Sequence, residues 1–167
     1  MSRARGPITS VTVYLTVQDL AQTVNFYNRA FGFTMMAPTA AGPANDRIKG
    51  LFGDPSLATM RTARGMFPGS EFTLNFQEFT GPDRKPVHHR VQDPGGPIFT
   101  MTVQDFPAVI DLVRANGGTI GDGEASATLA PNATASWVRD PNGLLLRLSV
   151  PQPARGATPV AAAPARP

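Results

Sequence analysis

Residues 16–19 read Thr16-Val17-Gln18-Asp19, and the same four residues return as Thr102-Val103-Gln104-Asp105, 86 positions later in a chain of 167. Each copy closes an apolar run and opens a helix-like stretch. In the first, Val11 to Val17 alternates: Val11, Val13, Leu15 and Val17 share one face, and Thr12, Tyr14 and Thr16 share the other. That is the pattern of a half-buried strand. Asp19 is placed to cap a helix, because its carboxylate accepts the free N–H groups of the first turn. Leu20, Val24, Tyr27, Ala30 and Phe31 then recur at helical spacing, and Gly32 stops the helix. The second copy repeats this, with a strand from Ile98 to Val103 and a cap at Asp105. Pro107 sits in the first turn, Val109, Ile110 and Val113 form an apolar face, and Gly117-Gly118 makes the stop. Gly32 and Gly118 are also 86 apart. Agreement at strand, cap and stop predicts an internal duplication.

Outward from these corners the chain reads as β. In the first half Phe33–Met36, Thr59–Met66 and Glu71–Phe79 are strand-like, and Ala37 to Asp54, rich in Pro, Gly and Ala, reads as a long loop. In the second half Thr119-Ile120, Ala127–Leu129, Ala135–Arg139 and Leu144–Val150 fill the same roles. Asp140-Pro141-Asn142-Gly143 is a turn between the last two. The expected fold class is α+β: two tandem βαβββ modules forming a half-open curled sheet with helices outside. Residues 1–7 read as a flexible arm, 8–80 and 97–150 as the modules, and 81–96 as the linker. Residues 151–167, Pro/Ala-rich and without periodicity, read as a disordered tail.

Composition narrows the function classes. The chain is 41% hydrophobic and 16% charged with net charge +3, and its basic residues are scattered apart from Arg84, Lys85 and Arg90. No basic stripe with interleaved aromatics is present, so nucleic acid is not an expected partner. With no cysteine, disulfides, thiolate nucleophiles and cysteine-based zinc sites are excluded. No apolar run approaches a membrane span. The opening MSRARGPITS lacks an apolar signal core, so a cytoplasmic protein is expected, with a secreted form whose signal has been removed as the alternative.

The segment YLTVQDLAQTVNFYNRAFGF and the closing WVRDPNGLLLRLSV resemble the first and last motifs of the vicinal oxygen chelate superfamily, the glyoxalase, bleomycin-resistance and extradiol dioxygenase group. The resemblance covers about residues 8 to 150. It implies two βαβββ modules around a cavity that holds a small molecule and, in most enzymes of the group, one divalent metal. Carried over residue by residue, the implied ligand positions are Thr12, Asn75, Ile98 and Arg147. None is a good ligand: hydroxyl and amide oxygens are weak donors, isoleucine offers none, and arginine is a permanent cation. The expectation is therefore no metal and no cofactor. His88 and His89 are adjacent and lie in the linker, where they read as solvated loop histidines; the alternative is that one of them holds a metal with an acid such as Glu78 or Asp93.

The polar strand faces then become the candidate site: Thr12, Tyr14, Asn75, Gln77, Ile98, Thr100, Trp137 and Arg147. A guanidinium in a concave pocket needs a partner, either Glu71 or Glu78 or an anionic ligand held by two N–H donors. Trp137 and Tyr14 offer stacking surface. No catalytic acid–base pair is legible, because a phenol such as Tyr14 is a poor base near neutral pH. The expected partner is a small anionic or aromatic molecule, bound or sequestered, in a homodimer. The alternatives are a metal-independent isomerase or lyase with Arg147 stabilising an oxyanion, or a metal enzyme with a rearranged site.

Overall fold

The duplicated corner forms as the sequence requires. Asp19 takes an extended backbone and its carboxylate accepts the Gln22 N–H at 2.9 Å; Asp105 accepts the Ala108 N–H at 3.1 Å in the same way. Each carboxylate satisfies a first-turn donor that the helix cannot satisfy itself. Gly32 ends the first helix with φ 66°, the left-handed conformation that favours glycine. The second helix stops two residues shorter: Asn116 is its cap, and Gly117, at φ 90°, takes the left-handed turn expected one residue later.

The structure is a computed structural model that describes residues 12–69, 72–121 and 133–151. The expected strand at Ala127–Leu129, the start of the first strand at Val11, Glu71, the arm and nearly all of the tail lie outside those residues. The first module contains β1 (Val13–Thr16), α1 (Leu20–Phe31), β2 (Thr34–Met35), β3 (Gly42–Pro43), α2 (Asp46–Phe52), β4 (Thr59–Met66) and β5 (Thr73–Thr80). The second contains β6 (Ile98–Thr102), α3 (Phe106–Ala115), β7 (Thr119–Ile120), β8 (Ala135–Arg139) and β9 (Leu145–Ser149). The first sheet runs β1-β5-β4-β2, with β3 also on β4, and the second runs β6-β9-β8-β7. In each, the strand before the helix pairs in parallel with the last strand of its module. The fold is the expected α+β pair of modules, and the sheets do not close into a barrel.

One core serves both modules. Leu74 and Phe76 of β5 and Leu146 and Leu148 of β9 are fully buried with Phe26 and Tyr27 of α1 and Ile110 and Val113 of α3. Burying each such side chain contributes about 1.5–3 kcal/mol. The helices touch, and Gly118 shows how closely. A Cβ there would lie 2.7 Å from Val113 Cγ1, 2.8 Å from Arg139 O and 2.9 Å from Phe26 Cε2. Because strand residues alternate, the opposite face of each sheet is turned away from this shared core. We call these the open faces.

The Ala37–Asp54 stretch departs from the loop expected of it, because it contains α2. Asn45 caps the helix through the Ile48 N–H, and Gly53 ends it at φ 65°. Seven residues make a marginal helix alone. Ile48 packs with Ala44, Leu57, Met60 and Phe79, and the Phe52 ring meets Phe79 edge-on at 4.9 Å. Met60 and Phe79 point to the open side of the first sheet, so α2 walls one end of that face. No helix among the described residues is long and apolar enough to cross a membrane.

Candidate functional site

The open faces are organised in rows set by strand register. On the first sheet Tyr14 lies opposite Asn75, which lies opposite Arg64; the next row is Thr16, Gln77 and Thr62. On the second sheet Thr100 lies opposite Arg147, which lies opposite Trp137; a neighbouring row is Ile98, Leu145 and Arg139. Tyr14 and Thr100 are related by the 86-residue repeat. Asn75 and Arg147 are therefore equivalent, as are Arg64 and Trp137. The tertiary structure thus divides the eight candidate residues between two surfaces. Thr12, Tyr14, Asn75 and Gln77 belong to the first, and Ile98, Thr100, Trp137 and Arg147 to the second.

Most of these side chains are accessible. Tyr14 is 59% exposed and Ile98 36%, and Thr12, Thr100 and Arg147 are also exposed. Asn75 and Trp137 are half-buried. Gln77 is buried, and its Nε2 donates to Thr16 Oγ1 at 3.1 Å, which fixes both polar ends. Arg64 was not singled out from the sequence. Its strand, TMRTARGM, shows mixed polarity, and only the pairing with β5 reveals that Arg64 shares a face with Asn75.

Arg147 has no ion-pair partner among the described residues, and neither has Arg64. Glu78, a partner expected for Arg147, faces the opposite way. It alternates with Gln77 and Phe79 onto the helix side, accepts the Leu20 N–H at 2.6 Å, and pairs with Arg61 at 2.8 Å. A carboxylate at the positive end of α1 is favoured by the helix dipole as well as by Arg61. Asp93 is likewise held by Arg90 at 2.8 Å. His89 Nε2 sits 3.1 Å from Pro97 O, and among the described residues no three His, Asp or Glu side chains group to hold a metal. The four positions where the resemblance places metal ligands carry two neutral oxygens, an alkyl group and a cation. This donor set does not fit a divalent metal.

A second polar cluster joins the modules. Asp140 Oδ1 accepts the N–H groups of Asn142 and Leu144, each at 2.9 Å, and Oδ2 accepts the Tyr27 hydroxyl at 3.1 Å. Asn142 Nδ2 donates to Thr23 Oγ1 at 3.0 Å, and its Oδ1 accepts the Gln18 N–H at 2.9 Å. Burial pushes the Asp140 carboxyl up, opposed by the Leu144 and Asn142 N–H groups; burial and then the Asp140 charge push the Tyr27 phenol well up. With both oxygens engaged, Asp140 is a latch between the last hairpin and α1. The sequence showed the turn at 140–143 but not what it docks against.

Two clefts lie between the modules. One, of about 430 Å3, is bounded by Leu15, Phe76, Leu144, Asp140 and the linker residues Arg84–Val87. Its roof is fastened by Arg84, which donates to Val17 O at 2.9 Å, and by Arg139, which donates to His89 O at 2.8 Å. The other, of about 690 Å3, is lined by Phe31, Phe33, Phe67, Phe72, Phe99 and Thr100.

The model of the Glyoxalase/Bleomycin resistance protein/Dioxygenase superfamily matches residues 8–148. The chain belongs to this superfamily. Among curated relatives, a 2-epi-5-epi-valiolone epimerase from Actinomyces sp. is 29% identical over 147 residues, covering 86% of this chain and 79% of the relative. Among solved structures, a glyoxalase family protein from Bacillus cereus superposes with a TM-score of 0.67 at 14% identity, covering 89% of this chain and 98% of that one. A fosfomycin resistance protein from Mesorhizobium loti superposes with a TM-score of 0.56 at 9% identity, covering 87% and 94%. The superfamily accounts for the duplicated module.

Proposed function

We propose that this superfamily member binds a small organic anion on its open faces without a metal, and that a second copy of the chain completes the site. The observation that carries this reading is Arg147. It is a permanent cation at the centre of the second sheet's middle row, exposed, and without an ion-pair partner among the described residues. Covering that face would strip water from the guanidinium, which is costly unless an anion replaces it. A carboxylate is matched by the two parallel N–H donors of arginine. Trp137, directly across, adds a flat apolar surface for the rest of the molecule.

The need for a second copy follows from the shared core. The helix sides of both sheets meet at α1 and α3. The open faces are therefore turned outward, and a further sheet must supply the opposite wall. A homodimer that sets the first sheet of one copy against the second sheet of the other does this for both faces at once.

Isothermal titration with benzoate tests the reading. Wild type binds with or without EDTA, and Arg147→Ala weakens binding by about tenfold or more, the worth of one good charge-assisted contact. Unchanged affinity in Arg147→Ala, or loss of binding after EDTA, would overturn it.

The epimerase relative favours a second reading, a metal-independent isomerase in which a proton is removed from the carbon next to a carbonyl and Arg147 stabilises the resulting enolate oxygen. This requires a group to carry the proton. Among the described residues the open faces show arginines and the Tyr14 phenol but no carboxylate or imidazole, which supports binding over turnover. Incubation with 2-epi-5-epi-valiolone in deuterated water separates the two: solvent deuterium appearing beside the carbonyl identifies an isomerase.

A further inference from the structure

We infer that Arg64 is a second anion-binding residue of this site and that its ligands are small dianions, either phosphate monoesters or dicarboxylates. The inference rests on the reading above, in which Arg147 holds an anion between two open faces. Its own observation is the row register. Arg64 lies across from Asn75, Trp137 lies across from Arg147, and the two central residues are equivalent under the repeat. Arg64 and Trp137 therefore flank the same central position from the two modules. If the first sheet of one copy faces the second sheet of another across an axis that follows the repeat, these rows meet at the same level and two guanidiniums enter one space.

The charge balance of that space is one-sided. Arg64 and Arg147 are both exposed and unpaired among the described residues, and the rows that carry them contain only Tyr, Asn, Thr and Trp besides. Two cations brought together away from water repel, and a monoanion neutralises only one of them. A dianion neutralises both. Arg61, three residues earlier on the same strand, shows the contrast: it points to the helix side and has Glu78 at 2.8 Å. Arg64 has no such internal carboxylate, so its counter-charge comes with the ligand.

The test is titration of the full chain with benzoate, phthalate and phenyl phosphate, using wild type, Arg64→Ala and Arg147→Ala. Both arginines are exposed, and an unchanged urea midpoint confirms that each variant is folded. Wild type should bind at least one dianion about tenfold more tightly than benzoate, and Arg64→Ala should abolish that advantage. An advantage for phenyl phosphate that grows as pH rises through about 6, where a phosphate monoester gains its second charge, identifies the phosphate class. An advantage for phthalate alone identifies dicarboxylates. If Arg147→Ala weakens all three probes but Arg64→Ala leaves the dianion advantage intact, the Arg147 site stands and this inference is overturned. If neither variant changes any affinity, or wild type binds none of the probes, both readings fail.

Discussion

The Tyr27 hydroxyl lies 3.1 Å from Asp140 Oδ2, joining α1 to the last hairpin across 113 residues of sequence. Both side chains are almost fully buried; this bond clamps one module onto the other, and the two backbone N–H bonds to Asp140 Oδ1, from Asn142 and Leu144, hold the carboxylate in its own turn. Tyr27→Phe removes one partner and should cost about 1 kcal/mol. Asp140→Ala leaves two backbone donors and a phenol without their acceptor and should cost about 2–3 kcal/mol. Urea unfolding of the two single variants and the double variant measures the coupling; additive losses would show that the pair does not act as a latch.

The same carboxyl makes stability depend on pH in an unusual direction. Burial raises the folded value of Asp140 above its ordinary 3.8, so the folded state holds this proton more tightly than the unfolded state. Its contribution is therefore largest below that ordinary value and is lost as pH rises through the raised one. Asp140→Asn keeps an acceptor for the two N–H groups and carries no charge. Stability of wild type minus that of Asp140→Asn should fall as pH rises from about 3.8 upward. A difference that grows over that range would reverse the sign and refute the account.

Glu78 holds the start of α1. Glu78→Ala removes the acceptor of the Leu20 N–H and the partner of Arg61. A loss of about 1–2 kcal/mol is expected, as for a helix cap. Benzoate affinity should remain at the wild-type value. A change in ligand affinity without a change in unfolding midpoint would place Glu78 in the binding site instead.

Metal loading follows from donor chemistry. After incubation with Fe2+, Ni2+, Zn2+ or Mn2+ and desalting, wild type should retain none by mass spectrometry. The variant Thr12→His, Ile98→His, Arg147→Glu places imidazole and carboxylate donors at three of the four positions and should gain Ni2+ or Zn2+ binding. Retention of about one metal per wild-type chain would direct attention to His88 and His89.

The proposed shared site predicts complementation. Arg64→Ala and Arg147→Ala copies each lack one arginine at every site. Mixed after reversible unfolding, half of the dimers are hybrid and one of their two sites has both arginines. About a quarter of sites should thus regain the full dianion affinity. No recovery on mixing would mean that each site is built within one chain.

The sequence by itself determined the local structure and the family. Asp19 and Asp105 cap helices because the chemistry of a cap is confined to four consecutive residues. Val13, Leu15, Leu146 and Leu148 sort to the core because strand alternation is a period of two. Even α2 left a trace in Asn45 and Gly53, hidden because its apolar face is only Ile48 and Phe52 against the distant Met60 and Phe79. What the tertiary structure alone decided is which of these residues meet. Strand pairing put Arg64 beside Asn75 and turned Glu78 to the opposite face. Packing of α1 on α3 directed both open faces outward, and the docking of the last hairpin brought Asp140 to Tyr27. Each of these depends on contacts between residues far apart in the chain, whose partners and register no local pattern specifies.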